Sequence, residues 1–329
     1  MDERKTHTSD VPPLGGVAIF LGFLLSTIIA TDGYSFDSLK YIIASIIIMF
    51  FIGLKDDLLD ISARKKFIVQ IFAVALLVTL GNVHLTHFHG ILGADLVNPV
   101  IGTLLTLFVM LAIVNAYNLV DGIDGLAASL AMLAAAAFGI WFYIAGHFQM
   151  AVMSFGLTGS LAGFFLYNVF GKKNKLFMGD TGSLVIGLVI ATLAVKFNEM
   201  NAFSLSGFAF ENAPAVSFAI VIVPLIDTLR VMTIRILNKK SPFAPDRNHI
   251  HHRLLELTPN HLAVTGIILA ANVVLIAVTV LLGSLNLNVT LQFVFTFLLG
   301  ILLSFVPSQL VKVKQKTLRA RRKHIYAEN

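Results

Sequence analysis

Between Leu96 and Val120 the chain runs for 25 residues without a charged side chain. As a helix that run would reach about 37 Å, more than the ~30 Å hydrocarbon core of a bilayer. A second apolar run follows to Gly146. Between them lies Asn118-Leu-Val-Asp121-Gly-Ile-Asp124-Gly125. Two such runs cannot be joined at a soluble surface without burying both, so this stretch reads as a polar hinge between membrane helices. Ten apolar spans can be read in all: about 14–31, 39–54, 67–83, 97–118, 125–146, 149–170, 182–196, 213–236, 262–283 and 289–306. The second and seventh are short, with Lys40 and Lys196 placed to snorkel. The expected fold class is an all-α polytopic membrane protein of about ten transmembrane helices. It forms one integral-membrane domain over 1–329, with inside loops 55–66, 118–125, 171–181 and 237–261 and a basic tail 308–329.

Composition agrees: 57% of residues are hydrophobic and only 13% charged, with a mean hydropathy of +0.85. The absence of cysteine excludes disulfide and thiolate chemistry. The polar start, Met1 to Lys5, carries no cleavable signal pattern. Of the 24 Lys and Arg, all but Lys40 and Lys196 fall on one side of the ten-span topology. By the positive-inside rule both termini are cytoplasmic. The net charge of +6 is then topogenic, and the run 312–323 is a membrane-adjacent tail rather than a nucleic-acid site.

The acids share that side. Asp56, Asp57, Asp60, Asp121, Asp124, Asp180, Asp227 and Asp246 all lie in inside loops or at inside helix ends. Topology does not need them, and carboxylates in such places are costly unless paired or metal-bound. If the hinge is helical, Asn118, Asp121 and Asp124 or Gly125 share one face and offer oxygens to a hard cation. Gly179-Asp180-Thr181-Gly182-Ser183 reads as a helix start, with Asp180 or Thr181 as N-cap and free N–H groups for phosphate. Asp246-Arg247-Asn248-His249-Ile-His251-His252-Arg253 is dense in histidine, and its arginines favour an anion over Zn²⁺. His84, His87 and His89, on the outside, are taken as loop composition.

Pro12 to Gly16, Asp56-Asp57, Asn118 to Gly125, Phe177 to Ser183 and His249 to His252, in that order, resemble the polyprenyl-phosphate N-acetylhexosamine-1-phosphate transferases. The resemblance implies transfer of a UDP-activated sugar 1-phosphate to undecaprenyl phosphate, with release of UMP, in an envelope-glycan pathway. It implies a multi-pass enzyme of the bacterial inner membrane whose active site faces the cytoplasm. Mg²⁺, or Mn²⁺ in its place, would be the cofactor, with Asp180 as ligand and Asn118 as second contact. Asp56 and Asp57 match the pair that deprotonates or positions the lipid phosphate, and Lys66 a phosphate-holding lysine. Asp121, Asp124, Phe177 and Asn168 match the nucleotide side. His251, His252, His249 and Arg247 would hold diphosphate or sugar. The implied partners are UDP-N-acetylhexosamine, polyprenyl phosphate, membrane lipid and, as an option, a second copy in a homodimer.

Arg253 stands where the phospho-MurNAc-pentapeptide branch has a third histidine, so the pattern resembles the WecA/TagO branch and favours UDP-GlcNAc. The family has a further membrane helix before the Glu3-Arg4-Lys5 segment, so Lys5, a substrate-binding candidate, is expected on an untethered end. A transporter is the competing class, but it calls for midplane charges and repeated halves. Neither is visible.

Overall fold

A computed structural model of the chain describes residues 14–31, 39–203, 207–241, 248–285 and 287–327. Lys5 and Arg247 lie outside the described residues. Twelve helices follow one another: α1 (Gly15–Ala30), α2 (Leu39–Leu59), α3 (Ala63–Thr79), α4 (Pro99–Val120), α5 (Leu126–Ile144), α6 (Phe148–Phe170), α7 (Gly179–Ala202), α8 (Ala213–Ile220), α9 (Ile222–Leu237), α10 (Ile250–Leu255), α11 (His261–Gly283) and α12 (Val289–Ala327). Among the described residues there is no strand, only an isolated bridge between His87 and Leu96.

Each expected span is occupied by a helix or, in one case, a pair. Among the described residues six helices are long and apolar enough to cross a membrane, and a bent pair makes up to seven. The others fall short for visible reasons. α1 has 16 residues and α3 has 17. α2 has 21 but carries Lys40, Lys55, Asp56 and Asp57. The expected single span 213–236 is broken: α8 and α9 meet at 74°. Pro224 explains the break, since it has no N–H to continue the ladder and its ring would press on the Ile220 carbonyl. Asn272 of α11 turns its Nδ2 toward the freed carbonyls of Ala219 and Ile220, at 3.4 and 3.5 Å.

The bundle is built around α7, which is apolar and buried from Thr181 to Val195 without interruption. A helix that is hydrophobic all round belongs in a core. Its N-terminal end is reached closely because its neighbours present glycine. A Cβ at Gly53 of α2 would lie 2.6 Å from the Thr181 Cα, and one at Gly16 of α1 2.3 Å from the Gly182 nitrogen. This close approach brings the polar ends of α1, α2 and α4 together around the start of α7.

Candidate active site

Four helix ends meet there. Lys66, at the start of α3, donates from Nζ to Asp56 Oδ2 at 2.8 Å and lies 2.9 Å from Asp180 Oδ1. The carboxyl groups of Asp56 and Asp180 are within hydrogen-bonding reach of each other. Asn118, near the end of α4, donates its amide to Asp180 and, at 2.9 Å, to Ser183 Oγ. The second Asp56 oxygen accepts from the Ile61 N–H at 2.7 Å, which closes the turn between α2 and α3.

Asp57 does something the sequence did not disclose. Its Oδ1 accepts from the Asp180 N–H at 2.8 Å; its Oδ2 accepts from the Thr181 N–H at 2.9 Å and the Thr181 hydroxyl at 2.5 Å. The expectation that Asp180 or Thr181 is the N-cap is therefore corrected. Met178 holds the cap position without a side-chain bond, and Asp57 caps α7 from another helix. Those two N–H groups are already used, so they are not free for phosphate. Gly179 makes the approach feasible: its φ is +66°, and a Cβ would lie 2.6 Å from Asp57 Oδ2.

The hinge also differs from a helical reading. α4 ends at Val120, and Gly125 takes a left-handed φ of +76°. The helix breaks at Asp121, whose ψ is 62°, and the next begins only after Gly125, so Asp121 and Asp124 do not continue the face of Asn118. Asp121 stays beside the acids. Its carboxyl is pushed up to about 7, first by removal from bulk water and then by the charges of Asp180, Asp57 and Asp124. Asp121 is nonetheless exposed to solvent. A carboxylate open to water keeps much of its hydration, so the like-charge crowding carries more weight than depth.

Asp124 turns away to Lys175 Nζ at 2.7 Å and His261 Nδ1 at 3.1 Å. Asn168 is buried with both ends of its amide on backbone, accepting from Gly125 N–H and donating to Leu176 O. It ties the hinge to loop 171–178. In that loop Phe177 lies with its ring 5.4 Å from Lys175 Nζ, and its carbonyl accepts from the Gly15 N–H at 3.0 Å.

The histidine block reaches the same hinge. A Cβ on Gly122 would lie 2.3 Å from His251 Nε2. His251 is buried, and neither ring nitrogen has a protein partner among the described residues. Burial first, then the neighbouring histidines, push its pKa down to about 3, so the ring is neutral. The His252 ring lies 4.3 Å away. His249 is anchored rather than open: Nδ1 meets buried Asp227 Oδ2 at 2.9 Å, while Asp227 Oδ1 accepts from Ile250 N–H and Arg230.

The sequence model of glycosyl transferase family 4 matches residues 39–198. Over 255 residues the chain is 31% identical to the "Undecaprenyl-phosphate alpha-N-acetylglucosaminyl 1-phosphate transferase" of Escherichia coli O157:H7, covering 77% of this chain and 67% of that protein. It is 34% identical over 281 residues to the "Decaprenyl-phosphate N-acetylglucosaminephosphotransferase" of Mycobacterium leprae (strain TN), covering 79% and 70%. The chain belongs to glycosyl transferase family 4.

For this family-4 chain the matched region takes in Asp56, Lys66, the hinge and Asp180 and stops before the histidines. Asp227, Lys175 and His261 were missed by sequence reasoning. Asp227 was counted only as an inside acid, and nothing local ties residue 261 to 124. Among the described residues no group of three or more His, Cys, Asp or Glu is arranged to hold a metal by itself. The donor set still fits a hard cation. Asp56 and Asp180 share the ammonium of Lys66, and Asp121 lies near enough to Asp180 to feel its charge. Mg²⁺ needs only one or two carboxylates, the rest of its shell being water and phosphate. Asn118 presents its amide nitrogen to Asp180, so as arranged it orients that carboxylate rather than adding an oxygen.

Proposed function

We propose that this chain transfers N-acetylglucosamine 1-phosphate from UDP-N-acetylglucosamine to undecaprenyl phosphate at the cytoplasmic face of a bacterial inner membrane. The observation that carries this reading is the meeting of Asp56, Lys66, Asn118 and Asp180 from four helix ends at one end of the bundle. The names of its relatives, which pair a polyprenyl phosphate with N-acetylglucosamine phosphate, point the same way.

In this reading an oxygen of the lipid phosphate attacks the β-phosphorus of the donor. A new P–O–P link forms, the bond to the α-phosphate breaks, and UMP leaves. A phosphate monoester has its second pKa near ~6, so the acceptor is largely ionised at neutral pH and needs no strong base. Asp56 then serves by holding Lys66, whose ammonium offsets the charge of the phosphates. When bound, Mg²⁺ or Mn²⁺ would be held by Asp180 with Asp56 and would neutralise charge on the diphosphate and the departing UMP. Neutral His251, with His252 beside it, donates a hydrogen bond to diphosphate or sugar. Asp57 positions Asp180 by fixing the first turn of α7. Asp121, Asp124 and Phe177 form the nucleotide side. Ten spans, with both termini cytoplasmic, complete the proposal.

The test is incubation of purified protein with undecaprenyl phosphate, Mg²⁺ and a panel of UDP-sugars, following UMP. Release with UDP-N-acetylglucosamine is expected, and none with UDP-MurNAc-pentapeptide. Asp180→Asn should lower the rate by about a hundred- to a thousandfold, the scale of losing a main electrostatic contact, while the protein stays folded. Wild-type UMP release by a folded Asp180→Asn would sink the assignment.

A further inference from the structure

We propose that His261, at the first turn of α11, is a positioning residue that sets Asp124 for the nucleotide of the donor; this rests on the placing of Asp124 on the nucleotide side. Asp124 Oδ2 receives two donors, Lys175 Nζ at 2.7 Å and His261 Nδ1 at 3.1 Å. Its main-chain oxygen receives a third, the Thr265 hydroxyl, at 3.1 Å. Its Oδ1 has no protein partner among the described residues and is left to accept from a ligand. An ionised carboxylate only accepts, so His261 Nδ1 carries the proton whatever the charge of the ring. Two donors on one oxygen fix the rotation of the carboxylate and so the direction of the free one. Lys175 also lies over the Phe177 ring, 5.4 Å from its centre, so the same cation joins Asp124 to the loop aromatic.

His261 is not there to dock α11. Asn260 already caps that helix, accepting from the Ala263 N–H at 3.1 Å, and Val264 and Ile268 are buried in the core. The His261 side chain is 37% exposed, and its hydrogen bond is to Asp124. It also lies near enough to His251 to disfavour a proton on that ring. α11 follows directly on α10, which carries His251 and His252. His261 thus ties the histidine segment to the nucleotide side of the site.

The test is steady-state kinetics of the full-length protein with UDP-N-acetylglucosamine and undecaprenyl phosphate, together with direct binding of UDP. His261→Ala should raise the KM for the donor about tenfold and weaken UDP binding by a similar factor. Its kcat should change less than about twofold, with the KM for the lipid unchanged; a tenfold change is about 1.4 kcal/mol. His261→Asn, whose amide N–H falls close to the place of Nδ1–H, should restore most of the donor affinity, and His261→Gln less. Unchanged donor KM and UDP affinity in His261→Ala would overturn the inference. So would a loss that His261→Asn fails to recover while both variants melt like wild type. A wild-type protein that binds UDP but turns over no UDP-sugar would overturn the proposed reaction instead, and the UDP affinities would still decide the role of His261.

Discussion

Removal from bulk water, and then the charges of Asp180, Asp57 and Asp124, push the Asp121 carboxyl up to about 7, well above an ordinary carboxyl. Folding therefore favours its protonated form. Between about 4, the usual value, and about 7 the native protein binds more protons than the unfolded chain. The contribution of this group to stability is present at low pH and is lost as pH rises through that window. Asp121→Asn should melt at a higher temperature than wild type at pH 8, with the difference shrinking toward pH 4. Activity runs the opposite way, because a cation held by the neighbouring Asp180 and Asp56 favours the ionised form of Asp121. UMP release should rise through a midpoint near pH 7, and more Mg²⁺ should move that midpoint to lower pH. His251 cannot supply this limb, since its ring is already neutral across the range. A pH–rate profile at two Mg²⁺ concentrations measures it; a midpoint that stays put assigns the limb to another group.

Among the elements, α7 shows how a single carboxylate can matter without touching substrate. Asp57 takes two backbone N–H groups and a hydroxyl at its first turn. Loss of an N-cap costs about 0.5–2 kcal/mol, and unpaired buried N–H groups add to that. Asp57→Ala should therefore lower stability by about 2 kcal/mol as well as activity, whereas Asp180→Asn should lower activity alone. Denaturant or thermal melts of the two variants side by side check this; equal stability would remove Asp57 from the cap. The contrast explains what was legible beforehand. The apolar runs, the acids gathered on one side and the histidine density are all local patterns, and they located the helices and most of the site. Asp57 and Thr181 are 124 residues apart, and His261 and Asp124 are 137 apart. No periodicity or spacing announces such a pair. The break before α9 was readable, because Pro224 stands in mid-run, but the length of the run outweighed it.

For the whole molecule the open quantity is how many helices cross the bilayer, and two contacts bear on α3, which is short. Lys66 at its start meets Asp180 at one end of α7. Asn82, just beyond its end, accepts through its carbonyl from Lys196 Nζ at 2.9 Å, toward the other end of α7. The same number of residues separates Lys66 from Asn82 as separates Asp180 from Lys196. α3 and the turn after it thus reach from the level of Asp180 to that of Lys196, about two thirds of the 24 residues of α7. At 1.5 Å per residue that distance is about 24 Å, so a crossing of a ~30 Å core by α3, as proposed, calls for local thinning and a snorkelling Lys196. α2 ends where α3 begins and must run back beside it. Because the chain contains no cysteine, single substitutions report sidedness without background. Leu92→Cys and Leu285→Cys should react with an impermeant maleimide on intact spheroplasts. Ser62→Cys, Ser241→Cys and Lys316→Cys should react only after permeabilisation. Labelling of positions 62 and 92 from the same side would leave α3 lying on the membrane, and would also separate the Lys66 end of the site from the face that carries the acids.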